Sequence, residues 1–132
     1  MVEKISSRED TPLTLADMVA NIKAHPRFSE AGMILAHNGV VRETSREGRG
    51  VTGLEIAVNH ARLEQILEKE RARPGILDIQ VHIREKKPLK VGDDVMFLVV
   101  AGNIRENVIA ALTDTLNQIK AEATRKTQFF ES

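Results

Sequence analysis

The chain has 132 residues, 42% of them hydrophobic and 29% charged, enough for one modest core and too few for two ordinary domains. Nineteen basic and nineteen acidic residues leave no formal net charge, so the bulk attraction of a general nucleic-acid or membrane-surface binder is missing and any anion site must be local. The absence of cysteine excludes disulfides, thiolate nucleophiles, zinc ribbons and iron–sulfur clusters held by this chain, and the absence of Trp and Tyr argues against stacking platforms for bases. No apolar run approaches the roughly 20 residues a membrane span needs, and the opening residues lack a signal-peptide core. A soluble, cytoplasmic protein binding neither nucleic acid nor membrane is therefore expected, with residues 1–12 a polar N-terminal segment and 13–132 one domain.

Thr14 and Asp17 are spaced as a capping hydroxyl and the acid that reaches back to it, and Leu15, Met18, Val19 and Ile22 follow at helical spacing until His25-Pro26. Gly32 to Val41 reads as a buried strand with a bulge or close backbone contact at Gly39. Glu43 to Gly50 has no apolar period and is expected to be an exposed, mobile loop. Val51 to Val58 reads as a strand, and Asn59 is placed to cap a helix carrying Leu63, Ile66 and Leu67, which Arg73-Pro74-Gly75 stops. Ile76 to Ile83 alternates strictly, placing Ile79, Val81 and Ile83 on one face. Lys87 to Asp94 reads as a turn-rich link, and Val95 to Ala101, the most continuous apolar run, as a central strand. The final helix is expected to start at Asn103, with Asn103 capping and Glu106 reaching back, and to carry Val108, Leu112, Leu116, Ile119 and Ala123 on one stripe. This order of helices and strands predicts an α+β domain.

Gly48-Arg49-Gly50-Val51-Thr52-Gly53 matches the three-glycine dinucleotide pattern, but a strand follows where that chemistry needs a helix N-terminus. Arg46 and Arg49 on this loop could close over an anion, or could belong to a solvated charge run. His25, His37, His60 and His82 lie on separate elements with no close pair, so no metal site is expected. His25 and His82 read as surface residues, and His37 as a satisfied core histidine or a catalytic one. Arg42 ends a buried strand, and Arg105 opens a helix where the dipole already disfavours a cation unless an anion compensates. Lys120 follows apolar Ile119, so its stem can lie on apolar surface and its amine can lose solvation; a favourable helix C-terminal position accounts for it equally.

Gly39-Val40-Val41-Arg42, then Arg73-Pro74-Gly75-Ile76, then Gly92-Asp93 ahead of an apolar strand, resemble the large, catalytic subunit of molybdopterin synthase over roughly residues 13 to 126. The most specific stretch is Val99-Val100-Ala101-Gly102-Asn103-Ile104-Arg105, followed by an amphipathic helix to Ile119-Lys120. The resemblance implies an α/β-hammerhead-like fold with a mixed or antiparallel sheet and a long C-terminal helix. It also implies a homodimer carrying a small ubiquitin-like sulfur-carrier subunit at each end. The carrier's C-terminal Gly-Gly thiocarboxylate would deliver sulfur to cyclic pyranopterin monophosphate, giving the dithiolene of molybdopterin without a metal or resident cofactor. Lys120 would then be the catalytic lysine and Lys126 a counterpart of the family's second lysine, with Arg42 and Arg105, helped by Arg46 and Arg49, binding the pterin phosphate. Two positions depart from the family's pattern: Ile104 stands where a histidine usually precedes the helix-start arginine, and the second lysine comes one residue early. The alternative implied by those departures is a homologue that binds a sulfur carrier or a pterin phosphate without chemistry. Fifteen helical residues between Arg105 and Lys120 span about 22 Å, so the two would serve one substrate only if each pocket draws on both chains of a dimer.

Overall fold

The computed structural model describes residues 13–132; the polar segment 1–12 lies outside the described residues. Helix α1 (Leu15–Lys23) starts at the capping box foreseen, with Thr14 accepting from the Asp17 backbone N–H at 3.1 Å and the Asp17 carboxylate accepting from the Thr14 N–H at 3.0 Å. A single 3₁₀ turn (Phe28–Glu30) leads into strand β1 (Met33–Val40). Strand β2 (Val51–Val58), helix α2 (His60–Arg71) capped by Asn59, and strand β3 (Ile76–Ile83) follow as predicted. Gly75 makes the turn into β3 at φ +84°, a conformation that side chains with a Cβ rarely adopt.

Strand β5 (Asp94–Gly102) is the middle strand of one antiparallel sheet, ordered β1-β5-β3. Its run of consecutive apolar residues exists because both faces are covered. Met96, Leu98 and Val100 point into a core built with α2 and helix α3 (Arg105–Gln118), while Phe97, Val99 and Ala101 pack against Met18 and Ile22 of α1. A register shift between Gly39 and Val40 confirms the irregularity expected at Gly39.

A second antiparallel sheet is ordered β4-β2-β6, and two of its strands were absent from the sequence reading. Strand β4 (Leu89–Lys90) lies within the stretch read as a link; it is two residues long, with buried Leu89 pairing Leu54. Strand β6 (Thr124–Phe130) occupies what looked like the tail beyond the last helix. A shift in the β2–β6 pairing between Val51 and Gly53 accounts for Val51 and Leu54 both being buried at an odd spacing. The two sheets share a seam, since Val58, Ile83 and Val95 pack against both the main core and the smaller cluster of Val41, Leu54, Ile56 and Leu89.

The last helix differs from expectation at both ends. Asn103 does not cap it: its side-chain oxygen is taken by the Ile104 backbone N–H at 2.7 Å and by the Asn107 amide at 2.9 Å, and Ile104 occupies the cap position without a side-chain bond. At the other end α-helical geometry stops at Gln118 and a π-helical turn (Ile119–Ala123) carries the chain into β6. The buried stripe is Val108, Ala111, Thr115, Ile119 and Ala123, with Leu112 and Leu116 on its flank. Helices α2 and α3 are tied by buried Glu70, which accepts from Arg73 at 2.7 Å and from the Gln118 amide at 2.8 Å, while Arg73 also reaches Asp114 at 2.7 Å.

Thr115 is fully buried, and among the described residues its hydroxyl has no hydrogen-bond partner. An unsatisfied buried hydroxyl is destabilising, and valine has nearly the same shape and helix propensity. Thr115→Val is therefore expected to stabilise the fold by about 1 kcal/mol, read as an increase in the urea midpoint at unchanged m-value.

Candidate functional site

Where the two sheets diverge they leave a cavity of about 380 Å³. Its floor is apolar, made by Leu54 and Ile56 of β2, Ile83 of β3, and Val95 and Met96 of β5. Its polar lining is His37 from β1, Arg46 from the loop after it, Lys120 from the π turn, and Thr124 and Lys126 from β6. Three cations thus converge with no carboxylate among the lining residues, and among the described residues none of the three is in an ion pair. In a chain of zero net charge this is a local concentration of positive charge set on an apolar floor, a chemistry suited to an anion.

The π turn determines which residues meet here. The Thr124 backbone N–H and hydroxyl both donate to the Ile119 carbonyl, the hydroxyl at 3.3 Å, and the Asn59 N–H caps the Ala123 carbonyl at 2.7 Å. With these carbonyls satisfied the chain leaves the helix without an exposed terminal turn, buries Ile119 and Ala123, and starts β6 at once. Lys120 stays on the solvent side of the turn, so the desolvated amine considered from sequence is not what the structure presents. Lys126, opposite Ile56 in the β2–β6 ladder, reaches the same cavity from the sheet.

His37 is the site residue that sequence reasoning left unresolved. It is half-buried on β1, lines the cavity, and has no hydrogen-bond partner among the described residues, so it is not a satisfied core histidine. A Cβ on Gly39 would lie 3.3 Å from its Nε2, so the glycine keeps space open beside the ring. Burial first, and then the Lys120 charge, hold the His37 pKa below the ordinary histidine value. Its period-2 alignment with Gly39, inside the strand that leads to Arg42, was the available signal.

The remaining predicted residues lie elsewhere. Arg42 is exposed, its Nε donating to the Thr44 carbonyl at 2.9 Å. Arg49 lies over the Phe130 ring, 3.7 Å from its centroid. The Glu43 to Gly50 loop is exposed over most of its length, as expected, but it is also internally hydrogen-bonded: Thr44 bridges Gly50, Ser45 is buried, and the Ser45 hydroxyl accepts from the Arg49 N–H at 3.1 Å. Arg105 is exposed at the far end of α3, with Glu106 at 3.9 Å. His82, read as a surface residue, is half-buried and stacked on Phe97; burial is the main cause of its lowered pKa, with Arg84 adding to it. The strand alternation that pointed His82 away from the main core points it at the second one, under α1. A larger groove of about 510 Å³ lies between α2 and β3, but apart from Glu64 its charged groups are mutually paired, His60 with Glu85 at 2.7 Å and Arg71 with Asp78 at 3.4 Å. Among the described residues no three His, Asp or Glu side chains are grouped to hold a metal, and no helix is long and apolar enough to cross a membrane.

The architecture is that of an α+β protein with antiparallel sheets and a long C-terminal helix, bearing a cationic cavity where its sheets part. The fold is shared with a molybdopterin cofactor biosynthesis protein E from Burkholderia multivorans, at TM-score 0.71 and 23% identity over 92% of this chain and 88% of that one. It is shared also with a Helicobacter pylori structure, a complex of subunits 1 and 2 of molybdopterin-converting factor, at TM-score 0.66 and 15% identity over 91% and 85% of the two chains. The MoaE protein family matches residues 8–122, and the chain belongs to that family, the large subunit of molybdopterin synthase in molybdenum cofactor biosynthesis. A Haloferax volcanii protein described as a probable molybdopterin synthase is 30% identical over 115 residues, which is 83% of this chain and 44% of that protein. The chain therefore spans less than half the length of the curated relative it matches. The family match ends before Lys126, so only Lys120 of the two cavity lysines lies inside it.

Because burial is the larger cause of the His37 shift and Lys120 the smaller, Lys120→Gln is expected to raise the His37 midpoint while leaving it below the ordinary histidine value. An NMR pH titration of the imidazole nitrogens in both proteins checks this; an unmoved midpoint would show that the lysine charge does not reach the ring.

Proposed function

We propose that this chain is the sulfur-transferring large subunit of a molybdopterin synthase, acting in the cytoplasm as a homodimer with a small ubiquitin-like carrier docked on each protomer. The observation that supports the reading is the carboxylate-free cavity in which Lys120 and Lys126 meet. A thiocarboxylate is an anion at the end of a thin glycine tail, and the pterin substrate is a phosphate ester on a flat organic body. A cationic rim over an apolar floor suits both. Lys120 faces the carrier carbonyl and stabilises the negative charge that builds on its oxygen, Lys126 and Arg46 offset the charge of the two anions, and Arg42, outside the cavity, would reach the phosphate only by releasing its bond to the Thr44 carbonyl.

Arg105 supports the dimer. It opens α3 while Lys120 lies just past its end, so about 22 Å of helix separates them and one protomer does not bring both to one small substrate. A symmetric pair can, with Arg105 of each chain completing the cavity of the other. The complex of two molybdopterin-converting-factor subunits from Helicobacter pylori, whose chain has the same fold, favours a carrier partner.

The test is a single-turnover reaction with thiocarboxylated carrier and cyclic pyranopterin monophosphate, following the oxidised dithiolene by fluorescence. Lys120→Ala is expected to slow product formation by about 100-fold or more, the loss typical of removing one group that stabilises an oxyanion. Arg105→Ala is also expected to be slow, and mixing the two variants under conditions that exchange subunits should restore part of the activity. Full activity of Lys120→Ala would remove the lysine from the chemistry, and failure to complement would remove the shared site. A folded protein that binds active carrier yet forms no product would be a binding module.

A further inference from the structure

Of the four histidines, three have a local explanation. His25 accepts the Arg27 N–H at 3.0 Å, His60 pairs with Glu85, and His82 is stacked on Phe97 in the second core. His37 has none. It is a half-buried imidazole without a hydrogen-bond partner among the described residues, on the wall of the cavity that holds Lys120, with a glycine keeping space open beside Nε2. Every other polar side chain on that wall is a cation or the Thr124 hydroxyl. The cavity therefore contains groups that stabilise negative charge and one group suited to take up a proton.

We propose that His37 is the proton acceptor of this site, activating the water that frees the transferred sulfur from the carrier. The inference rests on the sulfur-transfer reading above. Once the thiocarboxylate sulfur has bonded to the substrate carbon, that sulfur still carries the carrier's acyl group, and the acyl–sulfur bond must be cleaved. A water proton passes to His37 Nε2 as the water oxygen bonds to the acyl carbon. The carbon–sulfur bond then breaks, and its electron pair leaves with the sulfur as a thiolate on the substrate. The carrier is released as a carboxylic acid that ionises to solvent, and His37 returns its proton to solvent. Lys120 faces the oxyanion formed on the way.

The electrostatic setting fits this role. Arg46 from the loop, Lys120 from the π turn and Lys126 from β6 are the charged groups lining the cavity with His37, and the walls from β2, β3 and β5 are uncharged. Burial and Lys120 both disfavour the imidazolium, so the ring is neutral, and able to accept a proton, at neutral pH. The sign follows for the rate: protonation of His37 switches the step off, so the rate falls as pH drops through the midpoint of His37 in the substrate-bound complex and is level above it.

The experiment is the same single-turnover reaction across pH with the wild type and His37→Gln, which keeps hydrogen-bonding capacity but does not titrate, together with carrier affinity measured by titration calorimetry. The expected result is product from the wild type, a roughly 100-fold slower His37→Gln with unchanged carrier affinity, and loss of the acid limb from the variant's profile. An active wild type with an equally fast His37→Gln, or a variant that keeps the acid limb, would overturn the role of His37 and leave the function standing. No product from a folded wild type with active carrier would overturn both. If His37→Gln does not fold, His37→Asn replaces it, and the wild-type kinetic midpoint is compared with the NMR midpoint of the His37 ring in the complex with carboxylate-ended carrier and cyclic pyranopterin monophosphate; agreement supports the assignment and disagreement overturns it.

Discussion

Burial of β5 on both faces is the constraint from which the rest of the molecule follows. Residues Met96 to Ala101 alternate between two cores, so neither α1 on one side nor α2 and α3 on the other can leave without exposing half of that strand. The side chains of Val108 and Ala111 hold α3 to the sheet, and the Glu70–Arg73–Asp114 and Glu70–Gln118 contacts fix α2 beside it. Once α3 is docked along the sheet, the position of its last turn is determined, and with it the place where Lys120 emerges. The candidate site is thus set by packing some distance from it, while its own charged residues contribute little to holding the fold.

The cavity lies at the boundary between the sheets, where Val58, Ile83 and Val95 serve both cores and leave no side chains to fill the remaining space. Such a boundary gives an anion site two things that a single sheet face does not. Its apolar floor offers packing surface to the uncharged part of an anionic ligand. Its rim draws on four different chain segments, so cations far apart in sequence can meet without being packed side by side in one element, where they would repel.

The sequence revealed those parts of the fold whose physical cause is local. The Thr14–Asp17 capping box, the Asn59 cap, the Gly75 stop and the two-faced apolar run of β5 each follow from side chains within a few positions of one another. The end of α3 does not. Lys120-Ala121-Glu122-Ala123 is made of good helix formers, and nothing within it signals a π turn; the turn depends on the Thr124 bonds to Ile119 and on Asn59, more than sixty residues earlier, capping Ala123. Strand β6 shared this difficulty, since its pattern of half-exposed polar residues gains meaning only from pairing with β2. The consequence for the site is direct. On a continued α-helix, residues six apart point about 240° around the axis from each other and could not share a cavity. The switch from π turn to strand is what brings Lys126 to Lys120.

Placing an imidazole and a lysine on one cavity wall also couples proton affinity to occupancy. Burial first, and then the Lys120 charge, lower the His37 proton affinity. An anion bound beside Lys120, as the proposed reaction requires, would offset that charge and so raise the imidazole's proton affinity. In the proposed role His37 would thus be a stronger base with the anion in place and a weaker one, shedding its proton, once the anion has left. This linkage needs no movement of the backbone; it depends on a shared cavity, on the absence of a lining carboxylate that would neutralise Lys120 beforehand, and on the space beside Gly39 that leaves Nε2 accessible.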